Sequence, residues 1–213
     1  MTQSHPTVVE NISFEINEER LLREMRVSKL TSLDQMAEKP LAEAIRRAIA
    51  RGYTLIHGKG LYLTLELAGI KDGAIHAPAA GGLFTGADMI KLLGDCPRAT
   101  ILAVTIGPAL EAEVERLDKA GEMTEAYLLE MVGGLMADYM ADRVDERIDR
   151  DIKRAGFGGT MRFSPGYGDW PLDRQPLLHS LLGSERIGIS VTESHIMLPR
   201  KSVSAVIGWK GKA

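Results

Sequence analysis

A helix-period stripe dominates the middle of the chain. Leu128, Leu129, Val132, Leu135, Met136, Met140, Val144, Ile148 and Ile152 fall on one face from Thr124 to about Arg154, which predicts one long helix. Asp142, Arg143, Glu146, Arg147, Asp149 and Arg150 lie between them and read as a mostly solvated face. Gly133 and Gly134 interrupt the stripe and mark a kink or a close approach by another element. Before it, Gly107-Pro108 opens a helix that runs to about Ala120, where Gly121 stops it. Asn17–Val27 reads as a short helix with Leu21, Leu22 and Met25 on one face, and Pro40–Ala50 as another, with Gly52 at its end.

Strand patterns are fewer. Ala99–Ile106 is a continuous apolar run between Pro97 and Gly107, which argues a buried strand. Residues 53–67 are β-rich but carry Gly58 and Gly60, and read as a hairpin or as two strand pieces. Ile187–Thr192 and Ser202–Trp209 read as two strands close enough in sequence to pair antiparallel. Residues 1–16 alternate weakly, as an edge strand or a docking arm would. Residues 74–95 are loop-like up to Gly86, where Thr85 or Asp88 can cap a short helix over Met89–Leu93. After the loop at 156–170, Pro171 opens a helix that ends near Gly183. Helices and strands mix without strict alternation, and no repeat or linker splits the chain. The expected class is α+β: a single domain over residues 1–213, with helices flanking a mainly antiparallel twisted sheet and residues 1–30 as a possible N-terminal arm.

Composition sharpens this picture in two places. The 213 residues suffice for a core without disulfide or metal, burying on the order of 70% of the unfolded surface. Aromatics make up only 5%, while glycine reaches 22 residues. The formal charge of −3 argues against a broad nucleic-acid face. One cysteine, Cys96, excludes an internal disulfide framework and suits a reducing compartment, as a loop or core thiol. The first twenty residues do not resemble a signal peptide, and no run of 18 apolar residues exists, so a cytoplasmic protein is expected.

Most familiar chemistry is missing from the sequence. His5, His57, His76, His179 and His195 include no pair spaced three or four apart, so no helical zinc pair is expected. There is no P-loop and no nucleophile elbow. His57-Gly58-Lys59-Gly60 and Gly81-Gly82 can cradle a phosphate, but serve equally as turns. Residues 156–170 are different. They gather five glycines, four of the eleven aromatics, Arg162 and Asp169. Arginine offers a planar fork for a carboxylate or phosphate, aromatic faces stack on bases or cations, and glycine lets backbone approach closely. The segment can hold a zwitterionic, nucleoside-bearing molecule, or be an Ω-loop packed by its own aromatics.

Within it, Arg162-Phe-Ser-Pro-Gly-Tyr167 resembles the RxxxGY motif of the activation domain of cobalamin-dependent methionine synthase. The order continues with Trp170-Pro171 opening a helix, then Glu185, Val191-Thr192-Glu193-Ser194, Met197, Pro199 and Ser202-Val203-Ser204. The likeness is closest over 162–209, extends over 99–152 through the helix ending ADRVDERIDRDI, and fades before residue 99. It implies S-adenosylmethionine as ligand, with Arg162 on its carboxylate, Ser164 and Gly166 backbone alongside, and Tyr167 as the motif tyrosine. By helix register it assigns an acidic contact to Asp138, whose alternative is a solvated or helix-pairing acid. Glu193 and Trp170 are further candidates for ligand or partner contact. No catalytic residue and no metal ligand is implied.

The resemblance implies a component of a methyltransferase system rather than a complete enzyme: a subunit that supports reductive methylation, or reactivation, of a partner's cobalamin. The partner would be a cobalamin-binding methionine synthase or another corrinoid protein, with a flavodoxin-like protein as reductant and no role for nucleic acid or membrane. The family's early acidic contact has no match in residues 1–30, and its late tyrosine contact falls beyond Trp209. The alternative is therefore a non-enzymatic partner of a corrinoid methyltransferase that has lost S-adenosylmethionine binding. An unrelated small-molecule enzyme built on the Gly58–Gly60 and Gly81–Gly82 loops is a third expectation.

Overall fold

Strand β5 (Arg98–Thr105) organises the molecule, because both of its faces are apolar. Ala99, Ile101 and Ala103 point into one hydrophobic cluster, while Leu102 and Val104 point into the other. That period-2 division requires cover on both sides. The computed structural model, which describes residues 5–27 and 29–211, provides it. Of the expected N-terminal arm, residues 1–4 and Ser28 lie outside the described residues.

A five-stranded antiparallel sheet has the order β1-β2-β5-β9-β6, with β1 Thr7–Glu10, β2 Lys59–Glu66, β6 Phe157–Gly159 and β9 Ser202–Gly211. One face carries helices α1 (Glu18–Glu24), α2 (Lys39–Leu55), α4 (Ala109–Lys119) and α5 (Met123–Arg154). The other carries α3 (Ala87–Leu93) and α6 (Gln175–Leu182). Two small hairpins complete it: β3 (Ile70–Lys71) with β4 (Ala74–Ile75), and β7 (Ser190–Val191) with β8 (Met197–Leu198). The expected α+β class holds, as does the long helix, and all nine residues of its apolar stripe are buried.

Several sequence-based expectations need correction, and glycines account for most of them. Gly52 lies inside α2 rather than at its end, and a Cβ there would come within 2.7 Å of Met136 Cε on α5. Gly58 and Gly60 break nothing: β2 is one continuous strand from Lys59. A Cβ at Gly58 would overlap the Met140 methyl, and one at Gly60 would come within 2.9 Å of Val144 Cγ2. These glycines let α5 cross the sheet closely, so the space a phosphate would need is filled by Met140 and Val144. Gly133 is likewise a close approach within the unbroken span of α5, since its missing Cβ admits Leu110 of α4. Gly81-Gly82 forms an exposed turn with open space around it.

The C-terminal strands also differ. The segment read as Ile187–Thr192 yields only the two-residue β7, which pairs with β8 and not with β9. Strand β9 pairs instead with β5 and β6. Pro199, which has no N–H to donate, closes the short hairpin and frees the chain to enter the main sheet.

Candidate functional site

Gly156, with φ +85°, ends α5 and turns the chain onto the free edge of β9. From there residues 157–163 follow β9 closely. Thr160 N–H donates to Gly208 O at 3.0 Å, and Thr160 Oγ1 accepts from Gly208 N–H at 2.8 Å. Phe163 exchanges both backbone hydrogen bonds with Val206. Phe163 packs on the α3–α6 side of the sheet, so strand alternation sends Arg162 to the opposite, α5 side.

Beyond Phe163 the chain closes into a tight loop. Tyr167 N–H donates to Ser164 O, Gly166 N–H to Trp170 O, and Trp170 N–H to Tyr167 O. Gly166 and Gly168 adopt φ +90° and +51°, where a side chain would be strained. Trp170 is 1% exposed, stacks near Phe163 and donates its indole N–H to Leu83 O at 2.9 Å. It is a core residue that anchors the loop and presents no face for a ligand. Asp169 provides a second anchor by capping α3 from 81 residues away, accepting from Ala87 N–H at 2.6 Å and Asp88 N–H at 3.0 Å. Asp88 returns the bond by accepting from Asp169 N–H. The cap expected from Thr85 or Asp88 is thus supplied by the loop itself. Tyr167 stands out from this frame at 63% exposure, edge-on to Phe163.

Arg162 is 22% exposed and is met by two acids of α5. Its Nη2 donates to Asp142 Oδ1 at 3.0 Å, and its Nη1 lies 3.5 Å from Asp145 Oδ2. Nη1 is buried and makes no hydrogen bond, so one strong donor remains to be satisfied. Asp142 Oδ2 in turn accepts from Arg20 Nη1 of α1 at 2.5 Å, and the Arg20 guanidinium lies 4.5 Å from the centre of the Tyr139 ring. Asp138, one turn before Asp142, borders a cleft of about 390 Å³ with Glu24, Gly134, Lys201, Ser202 and Val203. Asp142 and Asp145 border a second cleft of about 430 Å³ with Asp149, Thr160 and Ile207. Loss of hydration pushes the Asp138 carboxyl above its ordinary pKa, against the pull of Arg20. The same cause raises Asp145, with Arg162 opposing it.

The structure therefore brings Arg162 against Asp142 and Asp145, on the turns of α5 that follow Asp138, whereas Tyr167 packs edge-on to Phe163, and no hydrogen bond or ion pair joins Ser164 or Tyr167 to Arg162 or Asp138. Glu193 is not a strand residue: it is exposed in the turn between β7 and β8, and no hydrogen bond or ion pair links it to Arg162, Asp138 or Tyr167. Arg20, Glu24, Asp142 and Asp145 are members that sequence reasoning missed. Asp142, expected on a mostly solvated face, is half-buried between two arginines. The signal was present: Asp138, Asp142, Asp145 and Asp149 recur at steps of four, three and four, and so share one face. Among the described residues no group of three or more His, Cys, Asp or Glu is arranged to hold a metal ion, and no helix is long and apolar enough to cross a membrane.

Comparison with known proteins adds three findings. The sequence model described as "Vitamin B12 dependent methionine synthase, activation domain" matches residues 82–213. A search of curated proteins finds no match. Among solved structures, the crystal structure of the MetH reactivation domain bound to AdoHcy superposes with a TM-score of 0.71. Identity is 14%, and the alignment covers 100% of this chain and 80% of that one, which speaks to the fold.

Proposed function

Since the chain belongs to the family of vitamin B12-dependent methionine synthase activation domains, we propose that it binds S-adenosylmethionine at Arg162 and supports reductive methylation of a partner's cobalamin. The observation that carries this reading is the half-buried Arg162, whose Nη1 is buried without a hydrogen-bond partner beside Asp142 and Asp145, which border one of the two clefts. A guanidinium fork suits the methionyl carboxylate. Asp138, Asp142 and Asp145 suit the ligand's ammonium and sulfonium charges. The exposed Tyr167 ring is available to an apolar or cationic part of the ligand. When bound, S-adenosylmethionine supplies an electrophilic methyl group, which cobalamin accepts after gaining one electron, leaving S-adenosylhomocysteine.

The chain's own task is placement. No acid, base or nucleophile is required, because the methyl donor is already activated and the rate depends on proximity and orientation. The anchoring of Trp170 and Asp169 serves that task by fixing the loop that carries Ser164, Gly166 and Tyr167. In this reading residues 1–213 act as one domain and as a separate cytoplasmic subunit. Its partner is a cobalamin-binding methionine synthase or a related corrinoid protein, and a flavodoxin-like protein is the reductant.

Calorimetry tests the reading. S-adenosylmethionine should bind the wild-type chain, and Arg162→Ala should weaken binding by at least about tenfold, the scale of one charged hydrogen bond. Absence of any heat at millimolar ligand would overturn it. One observation favours a second reading. Asp142 and Asp145 already neutralise Arg162, as they would in a corrinoid-protein partner that no longer takes the ligand. That reading predicts capture of a cobalamin-binding partner regardless of S-adenosylmethionine.

A further inference from the structure

Helix α1 lies outside residues 82–213, yet it reaches the core of the proposed site. It is fixed to α5 at two points. Asn17 N–H donates to Tyr139 Oη at 2.9 Å, and Arg20 packs its guanidinium over the same ring while holding Asp142. Asp142 is thereby shared: Oδ2 belongs to Arg20 and Oδ1 to Arg162. An arginine and a carboxylate left to themselves favour a bidentate clamp, with two parallel N–H···O bonds. Sharing prevents that clamp, and Arg162 Nη1, buried and 3.5 Å from Asp145 Oδ2, keeps no hydrogen bond.

Removing Arg20 would release Oδ2 of Asp142 to turn toward Arg162. The donors needed by an incoming carboxylate would then be taken by a carboxylate of the protein itself. The local balance would shift as well, since Asp138, Asp142 and Asp145 would face Arg162 alone. We propose that Arg20 is a positioning residue, which keeps Arg162 open to a ligand carboxylate by holding one oxygen of Asp142. The inference rests on the reading of Arg162 as the carboxylate-binding group.

A double-mutant cycle on the full chain tests it, with S-adenosylmethionine affinity as one readout and thermal midpoint as a control for folding. Arg20→Met should weaken binding about tenfold, whereas Arg20→Lys should recover most of it by restoring the charge. In an Asp142→Asn background, Arg20→Met should change affinity less than about twofold, because the competing anion is gone. A second readout needs no ligand. Side-chain NMR of Arg162, assigned by its loss in Arg162→Lys, should show slower rotation about Nε–Cζ in Arg20→Met as the clamp closes. A wild-type chain that binds no S-adenosylmethionine would overturn the proposed function and leave the positioning role to be decided by the NMR readout. Unchanged Arg162 dynamics in Arg20→Met, or an affinity loss undiminished by Asp142→Asn, would overturn the positioning role itself.

Discussion

His179 shows how burial alone sets the behaviour of one residue. Its Nδ1 lies 2.7 Å from Ser184 Oγ, its Nε2 is buried without a hydrogen bond, and burial pushes its pKa down to about 4 from 6.5, against the pull of Glu185. The folded state therefore resists a proton that the unfolded chain accepts. The stabilisation is complete above about pH 6.5 and is lost as the pH falls toward 4, by up to about 3 kcal/mol. Urea titrations across that range should show the decline, and His179→Asn, which keeps a polar group but does not titrate, should flatten it. Arg162 and Asp142 show the opposite limit, where neighbours rather than burial decide the role. An aspartate on a helix looks the same in sequence whether it faces water or an arginine 20 residues further on. Arg162 and Tyr167 stand out as candidates through their motif. Asp142 is legible only as one of four acids sharing a helix face, and Arg20 not at all, because its significance lies in a contact across 122 residues of chain.

Among the elements, those with strong local periodicity were read well. The nine-residue stripe of α5 and the apolar run of β5 each specify their own burial. The misreadings share a tertiary cause. Gly58 and Gly60 resembled turn glycines, but α5 requires their missing side chains. The pairing of β9 with β5 and β6 depends on partners far away in sequence, which no local pattern encodes. The cap of α3 belongs to this class too. Asp169→Ala should cost about 1–2 kcal/mol in chemical denaturation, the usual cost of a lost cap. It should also weaken S-adenosylmethionine binding, because the same residue ties down the loop. Asp88→Asn, which leaves both capping bonds of Asp169 in place, should cost less.

At the scale of the whole molecule, the site draws on four distant parts of the chain: α1, α5, the segment after β6 and the start of β9. Their charges leave it acidic, since across the two clefts Glu24, Asp138, Asp142, Asp145, Glu146 and Asp149 outnumber Arg20, Arg162, Arg200 and Lys201. S-adenosylmethionine carries one more positive charge than S-adenosylhomocysteine. The chain should therefore prefer the methylated form, and raising salt from about 0.02 to about 0.5 M should narrow the preference by shortening the screening length. Calorimetry with both ligands at both salts would show it, and equal affinities throughout would contradict it. The topology adds an order in time. The segment bearing Arg162 leans on β9, whose residues 202–211 follow it by some forty positions. On a ribosome adding residues from the N-terminus, helices α1 to α5 can gather before β9 exists, but the arginine has no edge to rest against until β9 emerges. In a nascent chain the proposed site is therefore incomplete until β9 is made, and it closes only when that strand is threaded between two that were already made.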